Sequence, residues 1–264
     1  MKGKTEPKHE DGYLIETKGI KKCYGEEGKC EITVLQDINI HVERRSFVSI
    51  MGPSGSGKTT LLDILGCLLK PTEGKVFIDG KNVIGLDDDD LALLRREKIG
   101  FVFQQYNLIQ SFTALENVEM PMRIAGKPKW EAEDKAKRLL KLVGLEDRMT
   151  HKPSELSGGQ QQRVAIARSL INNPQIILGD EPTGNLDTKT GQMILNLLKK
   201  LNAEEGYTII VVTHDSRVAQ YSDKIINLLD GQVLNETYLG GSREHEAKVS
   251  RVSRKPALVQ KGGD

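Results

Sequence analysis

Long apolar runs, aromatic side chains and net charge are all scarce in this chain of 264 residues. No segment approaches 18 consecutive apolar residues, so we expect no membrane-spanning helix, and any membrane role must come through a partner. Basic and acidic residues nearly balance, at 38 against 37, and aromatic residues make up only 5%. The chain therefore lacks the charge and the stacking side chains of a typical nucleic-acid binder, and we expect no nucleic-acid partner.

Cysteine is also rare, and its positions fit neither a metal site nor a disulfide framework. Cys23, Cys30 and Cys67 have no metal-ligand spacing, and their number is odd. This usage favours a reduced, cytosolic compartment. The N-terminal segment MKGKTEPKHEDG contains no apolar core, so it does not form a signal peptide.

Polar segments bracket one alternating region. Residues 1–12 predict a loose lead-in. The basic, aromatic-free residues 240–264 predict a disordered tail, with a role against anionic lipid as the alternative. Between them, residues 13–239 alternate predicted strands with predicted helices, which indicates an α/β domain whose mostly parallel sheet is covered on both faces.

Glycine and polar residues interrupt this region at the points where predicted strands end. Gly52, Gln104, Asp180 and His214 each lie just after an apolar strand or at its end. Ligands of parallel α/β sheets bind beyond the carboxyl ends of the strands, so these positions mark where a ligand is expected.

Four consecutive aspartates, Asp87 to Asp90, precede the pattern LALLRREK. Acidic residues stabilise the positive end of a helix, so this run predicts a helix start. The alternative is a calcium loop, but the alternating ligand spacing and the glycine of such loops are missing.

The segment GPSGSGKT, from Gly52 to Thr59, matches the phosphate-binding loop G-x-x-x-x-G-K-[ST]. It follows the strand FVSIM and opens a helix, which is the context that the motif needs. Glycines let backbone N–H groups wrap a phosphate, Lys58 supplies a cation to the β and γ phosphates, and Thr59 offers a hydroxyl to Mg²⁺. The predicted phosphate-binding residues are Gly52, Ser54, Gly55, Ser56, Gly57, Lys58, Thr59 and Thr60.

An acidic pair follows the apolar strand QIIL downstream. Asp180 is placed to hold Mg²⁺, which leaves Glu181 free to orient and deprotonate an attacking water. Adjacent carboxylates are often plain surface acids, but here the apolar strand fixes where they stand. The pair therefore predicts nucleotide hydrolysis.

A second glycine loop lies far from the first. The segment ELSGGQQQR, from Glu155 to Arg163, is a short loop that runs into a polar helix. Successive backbone N–H groups and a helix start bind anions well. One chain therefore carries two predicted phosphate cradles.

Together these motifs resemble those of the ATP-binding cassette (ABC) ATPases. GPSGSGKT, the glutamine after IGFVF, LSGGQ, LGDEPTGNLD and THD occur in the order seen in that family, over about residues 13–238. The resemblance implies an α/β fold, a P-loop NTPase of ABC type, with a mixed sheet core, an antiparallel β subdomain and a helical subdomain inserted at about 105–163. It also implies ATP and Mg²⁺ as cofactors.

The family's architecture explains why one chain has two cradles. In ABC ATPases two copies dock head to tail, and each ATP is sandwiched between them. The resemblance therefore implies that Ser157, Gly158 and Gly159 contact the γ phosphate of an ATP held by the phosphate loop of a second copy. Hydrolysis would then loosen this homodimer.

The remaining roles are implied by motif position. Tyr24 resembles the aromatic residue that stacks on adenine, with an ordinary strand tyrosine as the alternative. Gln104 resembles the glutamine that touches Mg²⁺ and the attacking water, and Asp187 resembles the aspartate that links the two sites of the dimer. His214 resembles the histidine that hydrogen-bonds the γ phosphate. The implied catalytic residues are Glu181, His214, Gln104 and Lys58, and the implied metal ligands are Thr59, Gln104 and Asp180.

The chain departs from the family pattern in three places. Arg45–Ser46 stands where relatives usually have a Gly-Glu turn, Thr59–Thr60 replaces the commoner Ser-Thr, and Gly179 replaces an alanine. None of these removes a catalytic group, so the resemblance implies an active Mg²⁺-dependent ATPase.

Segments between the motifs, among them RREKIGFVFQQYNLI and LSGGQQQRVAIARSL, resemble the ATPases of lipoprotein-release and macrolide-export transporters. The implied partner is an integral membrane permease on a separate chain, which would hold this protein at the inner face of the cell membrane. Two alternatives stay open within the family: an importer ATPase, for example for amino acids, and a soluble ABC ATPase without a membrane partner. A third alternative, outside the family, is a P-loop kinase, although it would have no use for LSGGQ.

Overall fold

The computed structural model describes residues 12–26 and 30–239. The predicted lead-in, apart from Gly12, and the predicted tail of residues 240–264 lie outside the described residues. In chain order the strands are β1 (Tyr13–Tyr24), β2 (Ile32–Ile38), β3 (His41–Glu43), β4 (Phe47–Met51), β5 (Glu73–Ile78), β6 (Lys81–Asn82), β7 (Ile99–Val102), β8 (Ile176–Asp180), β9 (Thr208–Thr213), β10 (Lys224–Leu229) and β11 (Gln232–Tyr238). The helices are α1 (Lys58–Leu65), α2 (Asp88–Lys98), α3 (Ala114–Ile124), α4 (Lys129–Leu142), α5 (Gly158–Leu170), α6 (Thr188–Glu205) and α7 (Ser216–Ala219), with 3₁₀ turns at Glu146–Arg148 and Pro153–Glu155.

The strands form two sheets. The smaller sheet is antiparallel, in the order β2-β1-β5-β6, with β3 paired to β1. The larger sheet has the order β11-β10-β4-β9-β8-β7, and β11 is its one antiparallel member among the described strands. The carboxyl ends of the five parallel strands therefore share one edge.

The central strands are apolar runs because both faces of the larger sheet are covered. Along β9, Ile209 and Val211 pack into one core cluster with α3, α4, α5 and α6, while Ile210 and Val212 pack into a second cluster with α1 and the antiparallel sheet. Alternation with a period of two sends successive side chains to opposite faces. The sheet is thus rigidly held from both sides, which fixes its edge in space.

Local sequence signals set several helix starts. The side chain of Asp87 accepts a hydrogen bond from the backbone of Asp90 (2.8 Å), which confirms the predicted helix start at the aspartate run. Thr113 and Glu116 form a capping box at α3. Among the described residues, we find no helix with both the length and the apolar character that crossing a membrane requires.

One predicted helix face is wrong. The pattern of α6 predicts an apolar stripe through Met193, Leu197 and Leu201. Met193 is instead 53% exposed, and the fully buried row runs through Ile194, Leu198 and Leu201. The segment MILNLL offers two neighbouring apolar rows, and contact with the sheet decides which of them is buried.

The prediction that the cysteines form no disulfide is also wrong. Cys23 and Cys30 are bonded, with their Cα atoms 5.3 Å apart, and Cys67 is the buried free thiol. Cys23 is near the end of β1 and Cys30 lies two residues before β2, at the turn end of this antiparallel pair. A hairpin brings two cysteines seven positions apart into bonding distance, and an odd total leaves the third one over. The cysteine usage therefore no longer supports a reducing compartment.

Candidate active site

A cavity of about 640 Å³ opens at the carboxyl edge of the larger sheet. It is lined by Val34, Ser54, Gly55, Gly57, Lys58, Thr59, Thr60, Gln104, Asp180, Glu181 and His214. Val34 belongs to β2, and the other residues lie at or beyond the ends of β4, β7, β8 and β9, where the sequence predicts a ligand. The volume is in the range of small-molecule sites.

The phosphate loop connects β4 to α1 with little space to spare. A Cβ atom at Gly52 would lie 2.1 Å from the carbonyl oxygen of Leu228. Gly57 has φ of 93°, a left-handed conformation that favours glycine, and its Cβ would lie 2.9 Å from the carbonyl oxygen of Val34. The loop is therefore packed between the end of β10 on one side and β2 on the other.

The phosphate loop has more hydrogen-bond donors than protein acceptors. Gly57 precedes α1 without a side-chain cap, so first-turn N–H groups of this helix point into the cavity region without a protein acceptor from a cap. Ser56 is 2% exposed, and its hydroxyl has no hydrogen-bond partner among the described residues. Lys58 is 7% exposed, and its ammonium donates to the carbonyl oxygen of Pro53 (2.8 Å). This excess of donors fits a bound polyanion such as a nucleotide phosphate.

The carboxylates at the end of β8 crowd negative charge beside this loop. Burial and the charge of Glu181 raise the pKa of Asp180, and the Thr59 hydrogen bond and the charge of Lys58 offset this only in part. The pKa of Asp63 is likewise raised, by burial and by the charge of Asp180. A bound cation would relieve this repulsion.

The donor set fits Mg²⁺ of the kind that nucleotides bring with them. The hydroxyl of Thr59 donates to the carboxylate of Asp180 (3.3 Å), and Gln104 lines the same cavity. Among the described residues, no cluster of three or more histidine, cysteine or acidic side chains could hold a metal alone. Because Mg²⁺ keeps several waters and takes one or two carboxylates plus phosphate oxygens, the few ligands present suffice once a phosphate is bound.

Glu181 and His214 form a close pair. Nδ1 of His214 lies 2.8 Å from Oε1 of Glu181, and the histidine side chain is 65% exposed while that of Glu181 is 20% exposed. An ionised carboxylate only accepts, so Nδ1 carries the proton and donates. Glu181 has φ of 42°, which is rare for a residue with a side chain, and its backbone N–H is anchored to the carbonyl oxygen of Val212 (3.0 Å). Such local strain clusters at functional sites.

Two residues that the sequence reasoning missed support this pair and Gln104. Asn185 donates from Nδ2 to the backbone carbonyl of Gln104 (3.0 Å). A Cβ at Gly184 would lie 2.8 Å from Nε2 of Gln104 and 3.2 Å from a carboxylate oxygen of Glu181, so a side chain there would displace the ends of both functional side chains. The signal was available in PTGN, which lies between Glu181 and Asp187. Val34 was also missed, because its strand pattern says nothing of a ligand.

The second glycine loop is not among the described residues that line this cavity. Ser157 caps α5: its Oγ accepts from the backbone of Gln160 (3.3 Å), and its own N–H donates to the Gln160 side chain (2.8 Å). Gly158 lies close to the hydroxyl of Tyr106, and Gly159 lies close to the side chain of Thr190. The start of α5 therefore stands apart from the phosphate loop of its own chain.

Two other predicted residues lie outside the cavity lining. Tyr24 ends β1, is 44% exposed, and has the ammonium of Lys22 5.1 Å from its ring centroid. Asp187 caps α6 by accepting from the backbone of Thr190 (3.1 Å), and hydrogen bonds from Thr190 lower the pKa of its carboxyl. Both side chains have a structural setting, and their roles toward nucleotide stay predictions.

Comparison with known proteins agrees with this geometry. A family model described as ABC transporter matches residues 35–184. The chain is 55% identical over 232 residues to the uncharacterized ABC transporter ATP-binding protein MJ0796 of Methanocaldococcus jannaschii, covering 86% of this chain and 98% of that protein. It is 46% identical over 243 residues to the macrolide export ATP-binding/permease protein MacB of Shewanella sp. strain W3-18-1. That alignment covers 92% of this chain but only 37% of MacB.

Solved structures support the same assignment. The dimeric structure of a post-hydrolysis state of the cassette MJ0796, bound to ADP and Pi, superposes with a TM-score of 0.79 at 52% identity, over 86% of this chain and all of that one. This similarity confirms the predicted α/β fold of ABC type. The chain therefore belongs to the ABC transporter family, as an ATP-binding subunit.

Proposed function

We propose that the chain hydrolyses ATP to ADP and phosphate with Mg²⁺ as cofactor, held by Thr59, Asp180 and Gln104. The loop backbone from Gly52 to Thr60 and the ammonium of Lys58 bind the phosphates. The metal, when bound, neutralises charge on the phosphate oxygens. The convergence of the phosphate loop, Asp180 and Glu181 at one sheet edge supports this assignment.

Glu181 accepts the proton of the attacking water in this proposal. His214 donates from Nδ1 to Glu181 at 2.8 Å and so fixes the direction of the carboxylate. For the same ring to hydrogen-bond a phosphate oxygen through Nε2, both nitrogens must be protonated. Gln104, tied to Asn185 and close to Glu181, helps to orient the same water.

The ATP site of one copy is completed by residues of a second copy of the chain. Ser157, Gly158 and Gly159 present a helix start that binds anions, yet this start lies outside the cavity of its own copy. That separation is the observation that carries the proposal: the helix start reaches a γ phosphate in a head-to-tail dimer, with Asp187 near the junction. The dimeric structure of MJ0796 with ADP and Pi is consistent with this arrangement. Tyr24 stacks on adenine in the same proposal.

A permease on a separate chain is the proposed partner, of the lipoprotein-release or macrolide-export type. It would place this chain at the cytoplasmic face of the membrane. MacB combines ATP-binding and permease functions in its printed name, and this chain spans 37% of its length. The helices around residues 105–163 form the proposed helical subdomain.

An apolar groove of about 660 Å³ is the proposed seat for a cytoplasmic segment of that permease. Its lining includes Leu93 and Ile124, which are 41% and 75% exposed, and exposed apolar patches mark interaction sites. Phe103 lines this groove, while the next residue, Gln104, lines the phosphate cavity. Two adjacent residues therefore connect the partner's seat to the nucleotide.

Mixing two inactive variants tests the shared site. Lys58→Ala disables the phosphate loop of its own copy, and Ser157→Asp keeps a good helix cap while its charge repels a phosphate. In a one-to-one mixture, half of the dimers pair the two variants, and each mixed dimer has one intact composite site. We expect turnover of about one quarter of the wild-type value per molecule, against almost none for either variant alone.

A control and a contrary result sharpen this test. Thr113→Asp places the same charge on the capping residue of α3 and should leave turnover close to wild type. If the second loop served its own copy, the mixture would stay inactive, because neither subunit would hold a complete set. Turnover per molecule that does not change on dilution to single copies would count against the dimer as well.

The groove is tested by membrane association in native cells. Ile124→Glu should lower the fraction of the protein that sediments with membranes. Leu234→Glu changes a residue of similar exposure, 63%, on β11 and should not. Equal sedimentation of both variants and wild type would remove the groove as the seat of the permease.

A further inference from the structure

The disulfide between Cys23 and Cys30 closes the end of the β1–β2 hairpin. Cys30 is exposed and Cys23 is half-buried, so the bond is open to small thiols and disulfides from the Cys30 side. Both sulfur atoms lie within 3.5 Å of the Thr33 hydroxyl. The third thiol, Cys67, is buried, and burial raises its pKa to about 11. Exchange chemistry in the described chain is therefore confined to the hairpin pair.

The bond is next to the proposed adenine-binding side chain. Tyr24 follows Cys23 directly, and in the ladder it pairs with Ile32 as Cys23 pairs with Thr33. The carbonyl oxygen of Tyr24 accepts from the backbone of Glu31 (3.1 Å). The last rungs of the hairpin are therefore a few hydrogen bonds beside the connection that joins β1 to β2. Exposed hydrogen bonds of this kind at the end of a sheet open locally at low cost, and a cross-link there opposes such opening.

The same hairpin also forms a wall of the phosphate cavity. Val34 follows Thr33 and lines the cavity. Its carbonyl oxygen and the side chain of Leu35 pack so closely on Gly57 that a Cβ there would lie 2.9 Å and 2.7 Å from them. Tyr24 therefore directly follows one cysteine of the bond. Thr33, which pairs with that cysteine across the hairpin, directly precedes the cavity-lining Val34.

We propose that the Cys23–Cys30 pair is a redox modification site, whose oxidised form holds the β1–β2 hairpin in the conformation that binds nucleotide. The proposal rests on the proposed role of Tyr24 toward adenine. Formation of the bond pre-orders Tyr24 and the cavity wall before ATP arrives. Reduction releases the hairpin end, so binding must then order it, which lowers the affinity.

A disulfide of the glutathione class is the oxidant. The Cys30 thiolate attacks one sulfur of oxidised glutathione and expels one glutathione thiolate, which leaves a mixed disulfide. The Cys23 thiolate then attacks the Cys30 sulfur and expels the second. One S–S bond breaks and one forms, both cysteines are oxidised as glutathione disulfide is reduced, and the two thiol protons end on the two released glutathiones.

Thiol counting is the first measurement. The full chain is equilibrated in glutathione buffers of graded ratio, alkylated without unfolding, and analysed by peptide mass spectrometry. Labelling of Cys23 and Cys30 should disappear together as the buffer becomes oxidising, and Cys67 should stay unlabelled throughout. A pair that remains reduced in fully oxidised glutathione would overturn the proposal.

The second measurement is the affinity for a non-hydrolysable ATP analogue with Mg²⁺. It is made by calorimetry in the most reducing and in the most oxidising glutathione buffer. We expect the oxidised wild type to bind roughly two- to tenfold more tightly, the range that follows from ordering one flexible side chain in advance. The double variant Cys23→Ser/Cys30→Ser should show the weaker affinity in every buffer. Equal affinity of the two wild-type forms, or a redox response that persists in the double variant, would overturn the proposal.

Tyr24→Ala separates this inference from the role on which it rests. Weaker binding by Tyr24→Ala together with a redox-independent wild type would remove the switch and leave the adenine role standing. Unchanged binding by Tyr24→Ala would remove the adenine role, and the switch with it.

Discussion

Gly57→Ala probes how tightly the phosphate loop is wedged against β2. The new Cβ would meet the backbone oxygen of Val34 at 2.9 Å and a methyl group of Leu35 at 2.7 Å. The methyl group can move aside, but the carbonyl of a paired strand cannot. The left-handed backbone alone costs a residue with a side chain about 1–2 kcal/mol, and overpacking adds about 1–3 kcal/mol. We therefore expect the free energy of unfolding to fall by about 2–5 kcal/mol.

Gly55→Ala is the matched control. Gly55 has a similar backbone, with φ of 81° against 93° for Gly57, but a Cβ there meets nothing within 4 Å. It should lose only the backbone cost of about 1–2 kcal/mol. The two variants differ mainly in the space around the added methyl group. The difference between their losses of stability therefore measures how closely the loop packs against β2.

Urea unfolding without nucleotide is the assay, followed by far-UV circular dichroism. The single tryptophan, Trp130, is 73% exposed and would report poorly on unfolding by fluorescence. The change in midpoint at constant slope gives the loss of stability. Equal losses for Gly55→Ala and Gly57→Ala would refute the close contact between the loop and β2, and with it the coupling of the hairpin to the cavity.

Three further perturbations test the chemistry. Glu181→Gln cannot accept a proton, so turnover should fall at least about 100-fold while ATP binding persists and a dimer accumulates; a monomer by light scattering in ATP would contradict this. Lys58→Ala removes a charge-assisted contact to phosphate and should weaken ATP binding about ten- to a hundredfold, so unchanged affinity in calorimetry would end that role. Burial raises the pKa of Asp180 in the folded chain, so the stability linked to its protonated form is lost as the pH rises through that pKa. For Asp180→Asn without Mg²⁺ at pH 7, we thus expect a free energy of unfolding about 0.5–2 kcal/mol higher than that of the wild type, and no ATP hydrolysis. A variant less stable than the wild type in urea titration would contradict the argument.

Much of the architecture follows from short-range patterns in the chain. The apolar runs FVSIM, IILGD and TIIVVT are buried on both faces, which is why they could be recognised as central parallel strands. Their order in the sheet brings Gln104, Asp180 and His214 to one edge, so strand-end residues separated by up to 110 positions line one cavity. Helix starts were equally predictable, because Asp87 acts on its own helix through a local hydrogen bond.

What the sequence did not reveal depends on contacts between distant segments. Gly184 matters because the side chain of Gln104, which is 80 positions away in the chain, approaches it together with the nearby Glu181, so the glycine of PTGN gains its role only in the folded chain. The buried row of α6 was misassigned because two apolar rows are adjacent and packing selects one. The Cys23–Cys30 bond was missed because the pairing needs the hairpin register, which places these strand ends together.

The two helix starts of the divided site suggest an order of events. Gly57 leaves α1 uncapped, and Ser56 beside it keeps a buried hydroxyl without a partner among the described residues, so the phosphate loop carries unmet donors until an anion binds. The start of α5 is different, because Ser157 and Gln160 cap each other and satisfy the helix within one copy. Unmet donors favour phosphate binding in the single chain, whereas a satisfied helix start gains only from the additional charge of a γ phosphate already held in place. ATP should therefore bind the phosphate loop of a monomer first and recruit the second copy afterwards.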